Sequence, residues 1–477
     1  MPEAPFPTEA ARRAAVSSRW RTRPSGPDPG PTAAVYRPRR PTTTPLYPVV
    51  QHHLETFLAR AEAEDPTGWG VPSFVERDFR AYLRCGILAH GFARARCGDC
   101  GHERLIAFSC KGRGICPSCN TRRMAEVAAH LTDRVLPGLP VRQWVLSVPK
   151  RLRPYLHGDA DIASGVLRIL LRAIRSTLHA TSPGAPRSVP EIQIGAVSFL
   201  HRFGSSLNAH FHYHVVVLDG VFSETSDGGV RFHEACNLEP HHWQELQRTV
   251  QRRTLRYFRR HDLLDEPTTA DKLTWQGTGG FSIDASVRVE GHDRQGVERL
   301  IRYCARPPFA LHRLHAMEGI ASLSSSEARL LYRLPGPTPD GRSILLLSPI
   351  ELLQRLARLV PPPRIHRHRY HGVLAPNARL RPQVVAMRGS ASDEASPLAA
   401  DQAEPPEATP PSVADPSPSS RESSRSSARI RWAQLLARIY EVLPLLCPSC
   451  GGQMRILAFL TDPPVVRSIL VHLDLPH

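Results

Sequence analysis

The chain has 477 residues, 41% of them hydrophobic, and a formal net charge of +17. This length predicts about two to four folded units, and the excess of positive charge indicates a polyanionic partner, first of all nucleic acid. No run of about 18 apolar residues occurs and the N-terminus has no apolar signal segment, so we expect an intracellular protein without a membrane span.

The N-terminal part of the chain combines an irregular arm with a cysteine-rich block. Residues 1–45 are rich in Pro, Arg, Ala and Thr without periodicity, which predicts a disordered basic arm. Helical patterns follow from Val49 to Arg84, then a cysteine-rich block from Cys85 to Cys119 and a helix near Thr121–Leu136. We therefore assign residues 46–136 to one small, largely helical domain.

Residues 137–385 alternate between strand and helix patterns. Their order predicts an α+β domain with an antiparallel sheet, helices on one face of it and a split βαβ arrangement. A further strand, a helix and a basic, His-rich loop are predicted over 340–382. The predicted strands are 142–149, 191–202, 209–220 and 281–290, and the predicted helices are 161–180, 241–261 and 293–305.

The C-terminal part begins with a low-complexity segment. Residues 386–428 are dominated by Ser, Pro and Ala, which predicts a disordered linker. Residues 429–477 predict a small separate unit with a helix at 430–443 and a Cys447-x-x-Cys450 pair. That pair either provides half of a second zinc site or forms a metal-free turn.

Two further Cys-x-x-Cys pairs lie in the N-terminal domain, with fifteen residues between them. This spacing is typical of a structural zinc site, because each turn lets two thiolates reach one tetrahedral ion. We predict one closed site that stabilises the domain and supplies no catalytic metal, with Cys97, Cys100, Cys116 and Cys119 as its ligands. Nearby residues that are either ordinary structural residues or ligands of a second ion are Cys85, Cys110 and His102.

Three histidines alternate along one predicted strand. The strand period of two places His210, His212 and His214 on one face. Three imidazoles entering an apolar strand are costly to bury unless something binds them. Two imidazoles with a third donor suit Mn²⁺, or less readily Mg²⁺, and such an ion would polarise a scissile phosphate.

The helix predicted at 293–305 separates apolar from basic residues. Arg299, Arg302 and Arg306 fall opposite its apolar stripe, where they would face phosphates. Tyr303 lies at the border, with its hydroxyl free to act as a nucleophile. The alternative is an amphipathic boundary tyrosine without a chemical role.

Several segments, occurring in the right order, resemble the rolling-circle insertion-sequence transposases. These are the insertion-sequence-ninety-one (IS91) family and its common-region relatives. The resemblance covers residues from about 50 to 385 and roughly the last fifty. The segments that carry it are FARARCGDCGHERLIAFSCKGRGICPSCNTRRMAE, QWVLSVPKRLR, RFGSSLNAHFHYHVVVLDGVF, RYCARPPFA and CPSCGGQMRILAF.

The resemblance implies a transposase zinc-binding domain at 46–136, followed by a His-hydrophobe-His (HUH) nuclease domain at 137–385. The paired metal histidines fall on His212 and His214, and the nucleophile falls on Tyr303. His201 stands where relatives have Gln, and either it or His210 would be the third ligand. Arg299 stands where many relatives have a second tyrosine, which implies the single-tyrosine subgroup.

The implied activity is metal-dependent cleavage and rejoining of single-stranded DNA at transposon ends and target, through a 5′-phosphotyrosine. It needs structural zinc and catalytic Mn²⁺ or Mg²⁺. No nucleotide cofactor is expected, and the sequence contains no G-x-x-x-x-G-K-[ST] loop. The expected location is the bacterial cytoplasm, at the nucleoid. The alternatives are a plasmid rolling-circle replication initiator or relaxase, and a non-catalytic zinc DNA-binding regulator.

Overall fold

The structure is a computed structural model that describes residues 39–188, 191–274, 278–338, 340–387 and 447–476. Most of the predicted N-terminal arm, almost all of the predicted linker and the helix predicted at 430–443 lie outside the described residues. Among the helices of the described ranges, none has the length and apolar character needed to cross a membrane.

The N-terminal domain begins with two helices, α1 (Leu46–Glu64) and α2 (Ser73–Leu83). A β-hairpin follows, made of β1 (Phe92–Cys97) and β2 (Glu103–Ala107), and then helix α3 (Pro117–Arg134). Helix α3 starts with a proline, which suits a helix start because the first-turn amides lack intrahelical partners. The predicted order of helices, cysteine block and helix is confirmed.

The second domain contains several short elements that the sequence patterns did not predict. Its strands are β3 (Val141–Ser147), β4 (Ile192–Gln193), β5 (Gly195–Phe203), β6 (Ala209–Leu218), β7 (Gly220–Glu224), β8 (Val230–Glu234), β9 (Ser282–Asp284), β10 (Arg288–Val289), β11 (Leu314–Ala316), β12 (Leu330–Arg333), β13 (Ile344–Leu347) and β14 (His368–Gly372). Its helices are α4 (Arg153–Gly158), α5 (Ala160–Ala180), α6 (Pro240–Arg260), α7 (Glu266–Thr274), α8 (Arg294–Cys304), α9 (Pro349–Ala357) and α10 (Arg381–Ala386).

The largest sheet has six strands, in the order β10-β3-β6-β5-β14 with β9 also paired to β3. All of its pairings are antiparallel, as predicted. Because β3 and β5 both run antiparallel to β6, they are parallel to each other with β6 between them. Two smaller antiparallel sheets, β4-β7-β8 and β11-β12-β13, complete the domain.

Helices cover both faces of the large sheet, so the prediction that they lie on one face is wrong. Trp144 and Tyr213 belong to the core shared with α5 and α6 on one side. Val216 and Phe199 belong to the core shared with α3 and α8 on the other. The central strands are apolar on both faces, and a strand of that kind is stable only when both faces are covered.

Two predicted segments of the second domain differ in the structure. The strand predicted at 281–290 is interrupted and forms β9 and β10. The basic loop predicted within 340–382 contains β14, which pairs with β5 so that Tyr370 lies opposite Val197. The side chains of β14 are half-buried or exposed at the edge of the sheet. An edge strand with partly exposed side chains does not need the apolar pattern by which strands are recognised, so the sequence of β14 predicted a loop.

The C-terminal segment contains strand β15 (Met454–Leu460) and helix α11 (Pro463–His472). Strand β15 pairs antiparallel with β1, with Phe92 opposite Leu460 and Cys97 opposite Met454. The resulting sheet has the order β15-β1-β2. The described part of the predicted separate C-terminal unit, residues 447–476, thus packs on the N-terminal domain through β15.

Candidate metal centre and nucleophile

Strands β5 and β6 bring three histidines together on one face of the large sheet. His201 on β5 lies directly opposite His212 on β6, and His214 follows two residues further along β6. The ring centroids of His201 and His214 are 4.3 Å apart, and that of His212 lies 5.0 Å from each. One nitrogen from each ring lies within 4.8 Å of the other two, close enough to share one ion.

His210 does not join this cluster, although it lies on the same strand face. Its ring centroid is 5.1 Å from that of His212. Its contact with the cluster is made by its backbone carbonyl, which lies 3.1 Å from Nδ1 of His212. Of the two residues predicted as alternatives for the third ligand, the structure therefore places His201 beside the pair.

Hydrogen bonds hold one nitrogen of each imidazole and leave another for a ligand. Nε2 of His201 lies 2.6 Å from the backbone carbonyl of Cys304, and Nδ1 of His214 lies 2.7 Å from the side-chain amide of Gln143. Nδ1 of His201 and Nε2 of His214 are buried without a hydrogen-bond partner among the described residues. Unpartnered buried nitrogens are costly, so this arrangement fits a bound cation.

The burial of these rings keeps them in the form that binds a metal. Removal from water lowers the pKa of His212 to about 4, with a smaller contribution from the positive charge of Arg306. Burial likewise holds the pKa values of His201 and His214 well below the ordinary value. All three are therefore neutral at neutral pH, as metal ligation requires.

Tyr303, the predicted nucleophile, lies against this cluster. It occupies the last turn of α8, and its ring centroid is 5.6 Å from that of His214. The side chain is 38% exposed, so a substrate can reach its hydroxyl. The guanidinium of Arg306 lies 4.5 Å from the centre of the ring. The structure thus joins the predicted tyrosine to the predicted histidines.

The other tyrosines considered as nucleophiles are placed elsewhere. Tyr257 packs on the opposite face of the sheet, against the core shared with α5 and α6. Tyr332 is 3% exposed. Tyr370 is half-buried and pairs with Val197, four residues before His201 on β5, which corresponds to a distance of about 13 Å along the strand.

The three arginines predicted to bind DNA have different surroundings. Arg302 forms an ion pair with Glu298 at 2.8 Å, and Arg299 lies 3.7 Å from Asp293. Arg306 instead lies over Tyr303 and also near the ring of Phe203. Of the three, only Arg306 is brought to the histidine cluster.

A basic groove that the sequence patterns did not predict leads away from the cluster. It is a cavity of about 450 Å³ whose lining includes His201, Arg306 and residues of the N-terminal domain. Burial, together with the charges of Arg123 and Arg113, lowers the pKa of Arg367 in its wall. The only sequence signal was the basic composition of residues 364–369. The arginines that line it near the N-terminal domain are Arg113, Arg123, Arg364 and Arg367.

The cysteines form two clusters of four, so the predicted grouping of Cys97 and Cys100 with Cys116 and Cys119 in one site is wrong. The four Sγ atoms of each cluster lie within 4.8 Å of one another. The sequence left open whether Cys85 and Cys110 are structural residues or ligands of a second ion. In the structure both belong to the same cluster. The first cluster consists of Cys85, Cys110, Cys116 and Cys119, and the second of Cys97, Cys100, Cys447 and Cys450.

The hairpin of β1 and β2 explains the division. Backbone hydrogen bonds from Gly86 to Phe108 and from Phe108 to Gly91 close the open end of the hairpin, beside the first cluster. Cys97 lies at the other end of β1, a strand length of about 17 Å away at the rise of an extended chain. A distance of that size prevents the two predicted pairs from sharing one ion.

Comparison with known families matches the two domains separately. Residues 49–148 match the family model described as a transposase zinc-binding domain, of the IS91 type. Residues 195–381 match the family model described as a putative transposase. The second match includes the histidine cluster and Tyr303. No solved structure matches the chain.

Two curated relatives are transposases by name. The putative transposase y4qJ of Sinorhizobium fredii is 29% identical over 171 residues, which are 35% of this chain and 41% of that protein. The transposase for insertion sequence element IS801 of Pseudomonas savastanoi pv. phaseolicola is 24% identical over 305 residues, 61% of this chain and 68% of that protein. The chain thus spans less than half of the first relative and about two thirds of the second.

Proposed function

Because the chain belongs to the IS91 transposase family, we propose that it is a rolling-circle transposase that cleaves and rejoins single-stranded DNA through Tyr303. The observation that carries the proposal is the position of the Tyr303 ring, 5.6 Å from His214 within a cluster of three buried imidazoles. A phenol beside a metal-binding cluster is the arrangement that phosphodiester cleavage by tyrosine requires. The proposed location is the bacterial cytoplasm, at the nucleoid.

The proposed metal centre uses the ring nitrogens that lack other partners. Nδ1 of His201 and Nε2 of His214, which are buried without a partner, would hold one divalent ion, Mn²⁺ or Mg²⁺, together with Nε2 of His212, whose Nδ1 faces the carbonyl of His210. When bound there, such an ion would supply Lewis-acid polarisation to the scissile phosphate. Cys304 and Gln143 hold the opposite nitrogens of two of these rings and so fix their orientation.

Tyr303 performs the covalent step in this proposal. Its oxygen attacks the phosphorus, and a bond from phosphorus to the phenol oxygen forms as the bond to the 3′ oxygen breaks. The phenol loses its proton, and the departing 3′ oxygen gains one to become a 3′-hydroxyl. Because the resulting 5′-phosphotyrosine is still a phosphodiester, a 3′-hydroxyl can attack it and rejoin the strand without a nucleotide cofactor.

The basic groove is the proposed path of the strand away from the reacting phosphate. His201 is among its lining residues, and it is lined with guanidinium groups from both domains. Arg306 provides positive charge next to Tyr303, where the scissile phosphate would bind. Arg299 and Arg302 already pair with carboxylates, so we assign them a minor role in binding.

Structural zinc is proposed for the first cysteine cluster. Three of its Sγ pairs are 3.5 to 3.6 Å apart, close to the value of about 3.8 Å that zinc–sulfur bonds of about 2.3 Å produce in a tetrahedron. Asp78 accepts hydrogen bonds from the amides of Gly114 and Ile115 and so holds the loop that leads to Cys116. A closed four-thiolate site of this kind stabilises the domain and leaves no position for substrate.

The test is a cleavage assay on single-stranded DNA labelled on the 3′ side of the cut, with and without Mn²⁺. Wild-type protein should form a covalent adduct that mass spectrometry places on the Tyr303 peptide. Tyr303→Phe should bind DNA but form no adduct, and His212→Ala/His214→Ala should also fail to cleave. The matched control Tyr370→Phe should retain cleavage. A non-catalytic DNA-binding regulator is the competing function, and wild-type protein that binds DNA without any adduct would support it.

A further inference from the structure

The second cysteine cluster joins two parts of the chain that are far apart in sequence. Sγ of Cys97 lies 3.5 Å from Sγ of Cys450, and Sγ of Cys100 lies 3.4 Å from Sγ of Cys447. These pairs are separated by 353 and 347 residues. All four cysteines are free thiols, and their spacing is close to the sulfur–sulfur distance of about 3.8 Å in a tetrahedral zinc site.

The two halves of the cluster have the same backbone structure. The segments CGDCG from Cys97 and CPSCG from Cys447 both end in a glycine with left-handed φ, 74° at Gly101 and 75° at Gly451. The amide of Cys97 donates to the carbonyl of His102 at 2.8 Å, and that of Cys447 donates to the carbonyl of Gly452 at 2.7 Å. Each hydrogen bond spans five residues, so the segments form two matching turns that face each other.

Hydrogen bonds to sulfur also prepare the C-terminal turn for a cation. The amide of Ser449 donates to Sγ of Cys447, and the amide of Gly452 donates to Sγ of Cys450, both at 3.4 Å. Amide donors aimed at sulfur stabilise the thiolate form, which is the form that binds zinc.

Packing around the cluster ties the same two segments together. Strand β15 covers the free edge of β1 along its whole length. Met454 is buried with Ala95 beside the cysteines, and Val466 and Leu470 of α11 cover the fully buried ring of Phe92. The N-terminal hairpin therefore depends on the C-terminal segment for part of its core.

We propose that Cys97, Cys100, Cys447 and Cys450 bind a second structural zinc ion that fastens residues 447–476 to the N-terminal zinc-binding domain. The site lies partly outside both regions matched by family models, because its C-terminal ligands follow residue 381. Ordering a segment that returns across such a long stretch of chain carries a loop-closure cost, which zinc binding would help to offset. With the ion bound, the folded N-terminal domain would include residues 447–476 from the C-terminal part of the chain.

The first experiment counts zinc in the purified full chain by mass spectrometry. The parent protein carries His212→Ala/His214→Ala, so that the histidine centre contributes no zinc. We expect about two zinc ions per parent chain and about one after adding Cys447→Ser/Cys450→Ser. The matched control is Cys236→Ser, an exposed cysteine outside both clusters, which should retain two. A parent with one ion, or a double serine variant that keeps two, would overturn the proposal.

A second experiment changes no cysteine and so does not depend on how the serine variant folds. A specific protease site is inserted after Asp415 of the same His212→Ala/His214→Ala parent, and the cleaved protein is passed over a size-exclusion column in zinc-containing buffer. The C-terminal fragment should elute together with the N-terminal fragment, and the complex should contain two zinc ions. Separation of the fragments, or a complex with one ion, would contradict the proposed site. Neither result bears on cleavage by Tyr303.

Discussion

Nε2 of His201 donates a 2.6 Å hydrogen bond to the backbone carbonyl of Cys304, the residue that follows Tyr303. This bond links the end of α8 to strand β5, and so links the proposed nucleophile to the proposed third ligand. It also assigns the ring proton to Nε2 and leaves the lone pair of Nδ1 facing His212 and His214. One contact therefore connects the helix of the proposed nucleophile to the proposed metal centre.

The first prediction concerns His201 as the third ligand. His201→Ala should weaken Mn²⁺ binding by at least about tenfold, because a two-imidazole site holds a divalent ion poorly. Binding can be measured by titration of the apoprotein in a calorimeter. The control His210→Ala should change the affinity by less than about twofold on the same physical grounds. A larger loss in the His210 variant would show that the wrong histidine has been assigned.

The second prediction concerns Gln143, which acts through His214 and is a positioning residue. Gln143→Leu removes the side-chain amide 2.7 Å from Nδ1 of His214 and should weaken Mn²⁺ binding about 10- to 100-fold. When Nε2 of His214 binds the ion, its Nδ1 carries the ring proton and needs an acceptor, whereas the nitrogen of the Gln143 amide that faces Nδ1 is a donor. Gln143→Glu supplies a carboxylate acceptor and should retain most of the affinity. A purely packing role would instead make Leu the better tolerated substitution, and DNA binding without metal should be unchanged in both variants.

The third prediction concerns the basic groove. Arg123→Gln/Arg364→Gln should reduce the slope of log affinity against log salt concentration by about 1.4 on single-stranded DNA, because each lost phosphate contact contributes about 0.7. Fluorescence anisotropy at several salt concentrations measures this slope. Arg248→Gln/Arg252→Gln on the exposed side of α6 is the control, since both arginines pair with Glu245. Equal effects of the two double variants would argue against a binding groove.

The fourth prediction concerns the stability of the sheet at acid pH. Burial lowers the pKa of His371 to about 4, and Nε2 of its ring is hydrogen-bonded to Ser198 at 2.8 Å. The folded-state pKa of His371 lies below the unfolded value of about 6.5. The free energy of unfolding of the protein therefore decreases as the pH falls from about 6.5 towards about 4. The contribution of this histidine between pH 7 and pH 5 is on the order of 2 kcal/mol.

Urea unfolding of wild-type protein and of His371→Gln at pH 7 and pH 5 tests this contribution. The variant should lose less stability than the wild type between the two pH values, by roughly the amount given above. His241→Gln, which changes an exposed histidine on α6, should behave as the wild type does. Parallel pH profiles for all three proteins would mean that His371 does not titrate in this range.

Local patterns in the sequence determined a large part of the site. Alternation along β6 was enough to place His212 and His214 on one face, and helical spacing was enough to put Tyr303 at the border of α8, because both patterns repeat within a few residues. The same local character explains why the Cys-x-x-Cys pairs could be predicted to be metal-binding turns. The antiparallel sheet also followed from the order of strand and helix patterns.

Only the tertiary structure decided which of these local units meet. Cys97 and Cys100 face Cys447 and Cys450, and not the nearer Cys116, because β1 separates the two ends of its hairpin and β15 returns to pair with it. His201 rather than His210 joins His212 and His214 because the register of β5 places it opposite His212. Strand pairing between distant segments depends on their combined packing and hydrogen bonding, and no spacing within either segment encodes it.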